Sequence, residues 1–108
     1  MARGVSRGDI WLHRFAPPDK RRPVVVLSRD DALEVLRSVI VAPVTSTIRS
    51  LPSEVLIDAG HGLKHPSAIN LDHVQTVQRD DLKRYVATLP IEVMSRVCGA
   101  LAVATGCS

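Results

Sequence analysis

Aromatic side chains are nearly absent: Trp11, Phe15 and Tyr85 are the whole set among 108 residues. A protein that held single-stranded nucleic acid mainly by stacking bases on aromatic rings would need more of them. Extensive stacking is therefore not expected, and Trp11 reads as a core residue. Cysteine is equally sparse. Cys98 and Cys107 cannot build the disulfide framework of a small secreted domain, and no metal cluster follows from two thiols. Long hydrophobic runs are missing too. The longest uncharged apolar stretch, Val97 to Gly106, falls short of the ~20 residues a membrane-spanning helix needs. Met1 to Asp9 is polar and basic, without the apolar centre of a secretory leader. There is no Gly-rich nucleotide loop and no Gly-x-Ser-x-Gly elbow, so hydrolase chemistry through a serine nucleophile has no support. Internal repeats and low-complexity segments are absent as well. These absences leave one cytoplasmic domain over residues 1–108, with no membrane partner, no metal and no cofactor expected.

What is present is ordinary globular material. Hydrophobic residues make up 45% and charged residues 23%, a balance that supports a folded core. The net charge is +3, and its distribution is uneven. Residues 1–50 carry nine bases and five acids, whereas residues 51–108 carry five bases and six acids. Eleven of the fourteen bases are arginine, the side chain suited to forked contacts with phosphate. An anionic partner for the first half fits this pattern, and so does a compositional bias of the source genome.

The chain reads as short strands with one good helix at the end. Gly8 to Phe15 opens as a strand whose alternation is not clean, so both of its faces are expected to be partly covered. Arg22-Pro23-Val24-Val25-Val26-Leu27-Ser28 is a β-branched run of the kind buried on both faces. Asp30 to Val35 is a polar connection with room for one helical turn. Ser38 to Thr45 is a third strand, in which Pro43 implies a bulge or an edge. Glu54 to Asp58, Ser67 to Asp72, Val74 to Val77 and Tyr85 to Thr88 complete the strands. Pro90 then opens a helix whose apolar stripe is Ile91, Met94, Val97, Cys98, Leu101 and Ala104, with Cys98 on the buried face and Gly106 as the stop. Connections this short rule out parallel crossovers. The expected fold is mainly β, a small barrel or half-open sheet with a C-terminal helix.

Two suggestive patterns lead nowhere. Arg7-Gly8-Asp9 spells an adhesion tripeptide, but in a chain without a secretion signal it reads as the start of a strand. His61 and His65 have the i, i+4 spacing of a helical zinc pair, yet Gly60, Gly62 and Pro66 argue against a helix there and no third ligand is evident.

Three segments rise above background when taken in order: Arg7-Gly8-Asp9-Ile10-Trp11, then Arg21-Arg22-Pro23-Val24-Val25-Val26-Leu27-Ser28-Arg29-Asp30, then Val39-Ile40-Val41-Ala42-Pro43-Val44-Thr45-Ser46. Their order and spacing resemble the MazF/PemK-type toxins, the mRNA interferases of type II toxin–antitoxin systems. Pro52 to Ile57, Asn70 to Val77 and the closing helix are similar as well, so the resemblance spans nearly the whole chain. It implies an SH3-like barrel of the PemK/CcdB type, a homodimer and a metal-independent endoribonuclease acting on single-stranded RNA, whether messenger, ribosomal or transfer RNA. It also implies a cognate MazE-like antitoxin whose disordered tail occupies the RNA groove. The family's catalytic pair, an Arg before the strand-opening Pro and a Thr ending the third strand, matches Arg22 and Thr45. Alone, Arg22 is a solvated loop charge and Thr45 a β-former at a strand end; the paired context gives them another role.

The chemistry supports that pairing. RNA can be cut without a metal by using the ribose 2′-OH as internal nucleophile, leaving a 2′,3′-cyclic phosphate and a 5′-OH. A guanidinium offers a planar fork to the phosphoryl oxygens, and a hydroxyl adds a further donor. Arg22 is expected to stabilise the phosphorane, since a pKa above ~12 suits it poorly as a general base. Lys20, Arg21 and Arg49 are expected to hold the RNA backbone. Sequence readout would fall to polar groups such as Ser46, Thr47, Arg49 and His73. Two departures from the family stand out. The connection from Trp11 to Arg22 is shorter and lacks the Gly-Ser-Glu-Gln stretch. His73 and Gln75 stand where the family usually has Gln and Arg, and His73 suits either a proton carrier or a base-reading group. The alternatives are a catalytically inactive nucleic-acid-binding barrel, a gyrase poison of the CcdB branch, or an interaction module using its helix. The Arg-Pro strand start and the Pro-Val-Thr-Ser segment speak against the gyrase poison.

Overall fold

The computed structural model describes residues 4–14 and 21–107. Seven strands carry the fold: β1 (Asp9–Arg14), β2 (Arg21–Val26), β3 (Ser38–Thr45), β4 (Glu54–Ile57), β5 (Ser67–Asn70), β6 (Gln75–Gln78) and β7 (Leu82–Thr88). A one-turn helix, α1 (Asp30–Leu33), joins β2 to β3, and α2 (Ile91–Thr105) closes the chain. The strands run in the order β4-β5-β3-β2-β1-β7, with β6 also paired to β3. Every pairing is antiparallel, as the short connections require. The mainly β class and the closing helix are therefore as expected. Among the described residues, no helix is long and apolar enough to cross a membrane.

Strand alternation divides the interior in two. On one face Ile10, Val25, Ala42, Val44, Ile69 and Leu71 pack with Val93, Met94, Val97 and Ala100 of α2. On the other, Trp11, Val24, Val26, Val39, Val41 and Leu82 pack with Leu33 of α1. Val24, Val25 and Val26 are each fully buried, so the uninterrupted run reflects cover on both faces. Trp11 meets Tyr85 edge-on at 6.0 Å, and its indole N–H donates to Asp9 Oδ2 at 3.2 Å. Asp9 is itself fully buried. It also accepts from Ser6 N at 2.9 Å and from the Thr88 hydroxyl at 2.8 Å, which satisfies the carboxylate. The Arg-Gly-Asp tripeptide is thus a structural corner. Gly8 has φ +89°, and a Cβ there would stand 3.3 Å from Met94 Cγ.

Several local expectations are corrected. Pro43 lies neither at an edge nor in a bulge. It sits where β3 changes partner, after Ser38–Val41 pair with β6 and before Val44–Thr45 pair with β5. A residue without an N–H suits a gap between two ladders. The strand expected to reach Asp72 ends at Asn70, and Leu71–His73 forms a 3-10 turn. There the Asn70 side chain accepts the Asp72 N–H at 2.9 Å and diverts the backbone from the ladder. The last strand begins at Leu82, three residues earlier than expected.

Helix α2 keeps Met94 and Val97 of the expected stripe buried and Leu101 and Ala104 half-buried against the core, but Ile91 and Cys98 fall outside it. Its buried residues are Val93, Met94, Val97 and Ala100, while Ile91 is 81% exposed. Cys98 is exposed rather than buried, and its Sγ accepts from Arg7 Nη2 at 3.0 Å. Gly106 ends the helix in the left-handed conformation, φ +72°. His61 and His65 fall on a turn. His61 Nδ1 accepts from Asp58 N at 3.2 Å as a local cap.

Candidate active site

Arg22 and Thr45 lie at the same end of the β2–β3 ladder, where the register sets Val24 opposite Pro43. Arg22 is exposed near the start of β2, and Thr45 is the half-buried last residue of β3. Both line a cavity of about 250 Å³ that is completed by Pro43, Val44, Thr47, Arg49, Glu54, Asn70 and His73. Five parts of the chain therefore converge on one hollow: the ends of β2 and β3, the loop after β3, the start of β4 and the turn after β5.

Side-chain hydrogen bonds hold these contributors. Thr45 Oγ1 accepts the Thr47 backbone N–H at 3.1 Å. The hydroxyl proton and a second lone pair stay available to a ligand. Glu54 Oε1 accepts the N–H groups of Arg49 at 3.1 Å and Leu51 at 3.3 Å, tying the loop to β4. Ser50 turns the loop with φ +57°. Asn70 contacts Nδ1 of His73 at 3.1 Å. Nearby, the Ser53 hydroxyl donates to Asp72 Oδ2 at 2.5 Å, joining the His73 turn to the start of β4. The site is thus a set of loop ends braced against each other, with two guanidinium groups at its wall.

His13 stands directly across from Arg22 in the β1–β2 register. It is buried, and burial pushes its pKa below the ordinary histidine value, against the pull of Asp81. A neutral imidazole there adds no repulsion to the neighbouring guanidinium.

Of the residues singled out in the sequence, Arg22, Thr45, Thr47, Arg49 and His73 come together. Ser46 does not join them. It lines a neighbouring cavity of about 540 Å³ with Pro23, Leu63, Lys64, His65, Arg84 and Tyr85. Successive residues of a strand face opposite sides, so Pro23 and Ser46 meet one hollow while Arg22 and Thr45 meet the other. Arg21 pairs with Arg14 at the hairpin end and lies off the cavity. Gln75 pairs with Val41, four residues from Thr45 along β3, a separation of about 13 Å at strand rise. Lys20 lies outside the described residues. Glu54 and Asn70 went unnoticed in the sequence. Asn70 alone left a trace, as an Asn followed two residues later by the Asp whose N–H it accepts.

The sequence pattern of the PemK-like, MazF-like toxins of type II toxin–antitoxin systems matches residues 6–105. A probable endoribonuclease MazF5 of Mycobacterium tuberculosis is 44% identical over 104 residues, spanning 95% of this chain and 94% of that protein. Endoribonuclease EndoA of Bacillus subtilis is 31% identical over 107 residues, with 92% of each chain covered. Among solved structures, the Mycobacterium tuberculosis toxin MazF-mt6 superposes with a TM-score of 0.85 at 34% identity, covering 93% of this chain and 98% of that one. A MazE–MazF structure from Deinococcus radiodurans superposes at 0.83 with 26% identity, covering 99% and 100%. With the whole fold and the ordered motifs accounted for, the chain belongs to the PemK-like, MazF-like toxin family of type II toxin–antitoxin systems.

Proposed function

We propose that this toxin is an endoribonuclease that cuts single-stranded RNA in the cavity lined by Arg22 and Thr45. The observation that carries the reading is the convergence of these two side chains with Thr47, Arg49 and His73 on one hollow. In the proposed reaction the ribose 2′-oxygen attacks the adjacent phosphorus as its proton leaves. The P–O5′ bond breaks and O5′ takes up a proton. The products are a 2′,3′-cyclic phosphate and a 5′-OH end. The nucleophile belongs to the substrate, so the protein's task is electrostatic. Arg22 presents its guanidinium fork to the non-bridging oxygens as charge builds on the phosphorane, and the Thr45 hydroxyl donates to the same group. Arg49 and Thr47 hold the flanking backbone, and no metal is required.

The partners follow from the same reading. A cognate MazE-like antitoxin would silence the toxin by occupying this surface, and the toxin would act as a homodimer in the cytoplasm. Support comes from the Deinococcus radiodurans relative, whose solved structure is a MazE–MazF assembly.

The test is incubation of a long single-stranded RNA in EDTA with protein freed of antitoxin. Wild type should yield discrete fragments with 5′-OH ends, and Arg22→Ala should lose cleavage by about 10²–10³-fold. RNA retained but uncut by wild type would overturn the nuclease in favour of a binding barrel.

A further inference from the structure

Asn70 makes two side-chain contacts whose polarities constrain each other. Its Oδ1 accepts the backbone N–H of Asp72 at 2.9 Å, and its amide nitrogen lies 3.1 Å from Nδ1 of His73. A backbone N–H can only donate, so the amide oxygen must be the atom that faces it. The reversed amide would set two N–H groups against each other. With its oxygen committed to Asp72, the atom Asn70 turns to His73 is an NH2 group, which also only donates. Nδ1 of His73 must therefore accept. In a neutral imidazole one nitrogen accepts and the other carries the proton, so the proton sits on Nε2. A backbone amide thus sets the tautomer of a side chain in the cavity through one intervening residue.

We infer that Asn70 is a positioning residue that holds His73 as a fixed Nε2–H donor, and that His73 uses this donor to select keto over amino bases at one nucleotide of the bound RNA. The inference rests on the nuclease reading of the same cavity. Phosphate oxygens are the natural ligands of the charged Arg22 and Arg49, which leaves a neutral, directional donor for the base edge. Such a donor can donate to O4 of uracil or O6 of guanine. It meets a like group at N4 of cytosine or N6 of adenine. The fixed polarity also decides between the two roles open to His73. With Nδ1 engaged by a donor and Nε2 already protonated, the neutral ring has no nitrogen ready to take a proton, which disfavours a proton carrier.

Asn70→Asp tests this with little change of shape. The substituted carboxylate still accepts the Asp72 N–H, but towards His73 it now accepts, drawing the ring proton to Nδ1 and turning Nε2 into an acceptor. The charged groups that line the cavity with His73 are Arg22 on β2, Arg49 in the loop after β3 and Glu54 on β4, and Asp72 lies on its own turn. All are present in wild type and variant, so the comparison isolates position 70.

Two measurements close the argument. Nitrogen-15 NMR of the His73 ring, assigned by its loss in His73→Gln, should show Nε2 protonated in wild type at pH 8 and Nδ1 protonated in Asn70→Asp. Cleavage and binding of short RNAs that differ only as uridine or cytidine, or as guanosine or adenosine, at each position should show a keto preference of about tenfold at one position in wild type. In Asn70→Asp at pH 8 that preference should vanish or invert. A wild-type ring protonated on Nδ1, or a base preference identical in wild type and Asn70→Asp, overturns the inference. Should wild type bind these RNAs without cutting them, the nuclease reading falls, while the tautomer and the base preference are still decided by NMR and by binding.

Discussion

The two ends of the β2–β3 ladder are built from the same kind of chain and finished in opposite ways. At the far end, Leu27 N donates to Ile40 O at 2.8 Å and Ile40 N donates to the buried Ser28 hydroxyl at 2.8 Å. Arg7 lies across this end, donating to Leu27 O and Cys98 Sγ, while its backbone N–H reaches Asp30 Oδ1 at 2.7 Å. Its polar groups are spent on one another. At the near end, Arg22, Thr45, Arg49 and His73 surround a hollow, and their hydrogen bonds fix loops rather than fill the space. Between the ends lies the fully buried run Val24–Val26. The lesson is that a rigid, apolar ladder can be sealed at one end and left chemically available at the other.

Breaking the core that backs the ladder should have the largest effect. Ile69, on β5, is fully buried opposite both Val44 and Val55. Ile69→Ala should cost about 2–5 kcal/mol in denaturant unfolding, and activity should fall only as folded protein is lost. Next in size is the open end. Thr45→Val keeps the shape but removes the donor, and should slow cleavage about 100-fold with a melting temperature close to wild type. A variant that melts early without any loss of rate in the folded fraction would make Thr45 part of the frame instead. The sealed end should show the reverse. Ser28→Ala strands the Ile40 N–H and should lose about 1–3 kcal/mol of stability, with cleavage unchanged under conditions where it stays folded.

The smallest effect expected is a pH dependence. The pKa of His13 is lower in the fold than its unfolded value, so the unfolded chain binds more protons as acid is added. Its contribution to stability is complete above about pH 6.5 and is lost as pH falls from there through the folded value. Thermal melts between pH 5 and 8 should therefore drop on the acid side, and His13→Gln should flatten that drop. An equal slope in both proteins would assign the effect to other groups.

Much of this architecture was legible beforehand, because it rests on signals that local sequence carries. Strand β3 was bounded at Ser38 and Thr45, since a β-branched run between polar segments leaves little choice. Strand β1 showed its double burial through broken alternation. The misreadings have equally local causes. From Val97 to Ala104 helix α2 is apolar nearly all round, so two stripes fit the sequence, and docking against β4 and the Leu71–His73 turn selects the one through Val93 and Ala100. Leu71 and Asp72 read as strand from sequence because the decisive contact of their turn is a single side chain bonding its own backbone. The gathering of the cavity was partly legible. Arg22 and Thr45 were found by resemblance, whereas Glu54 and Asn70 act by bonding loops, and nothing in their spacing announces that.

The change of partner along β3 has a consequence for what the chain can tolerate. One strand is the template for β5 at Val44–Thr45 and for β6 at Ser38–Val41, and the segment from Leu71 to Val74 bridges the gap between them. Its length is therefore a vernier. One residue inserted there would slide β6 by a single step, turning Val77 outward and bringing Thr76 or Gln78 into the core. Variation in this family member should accordingly enter the bridge as exchanged side chains and never as altered length. The residues that face the ligand can then be rewritten one at a time on a frame that keeps its measure.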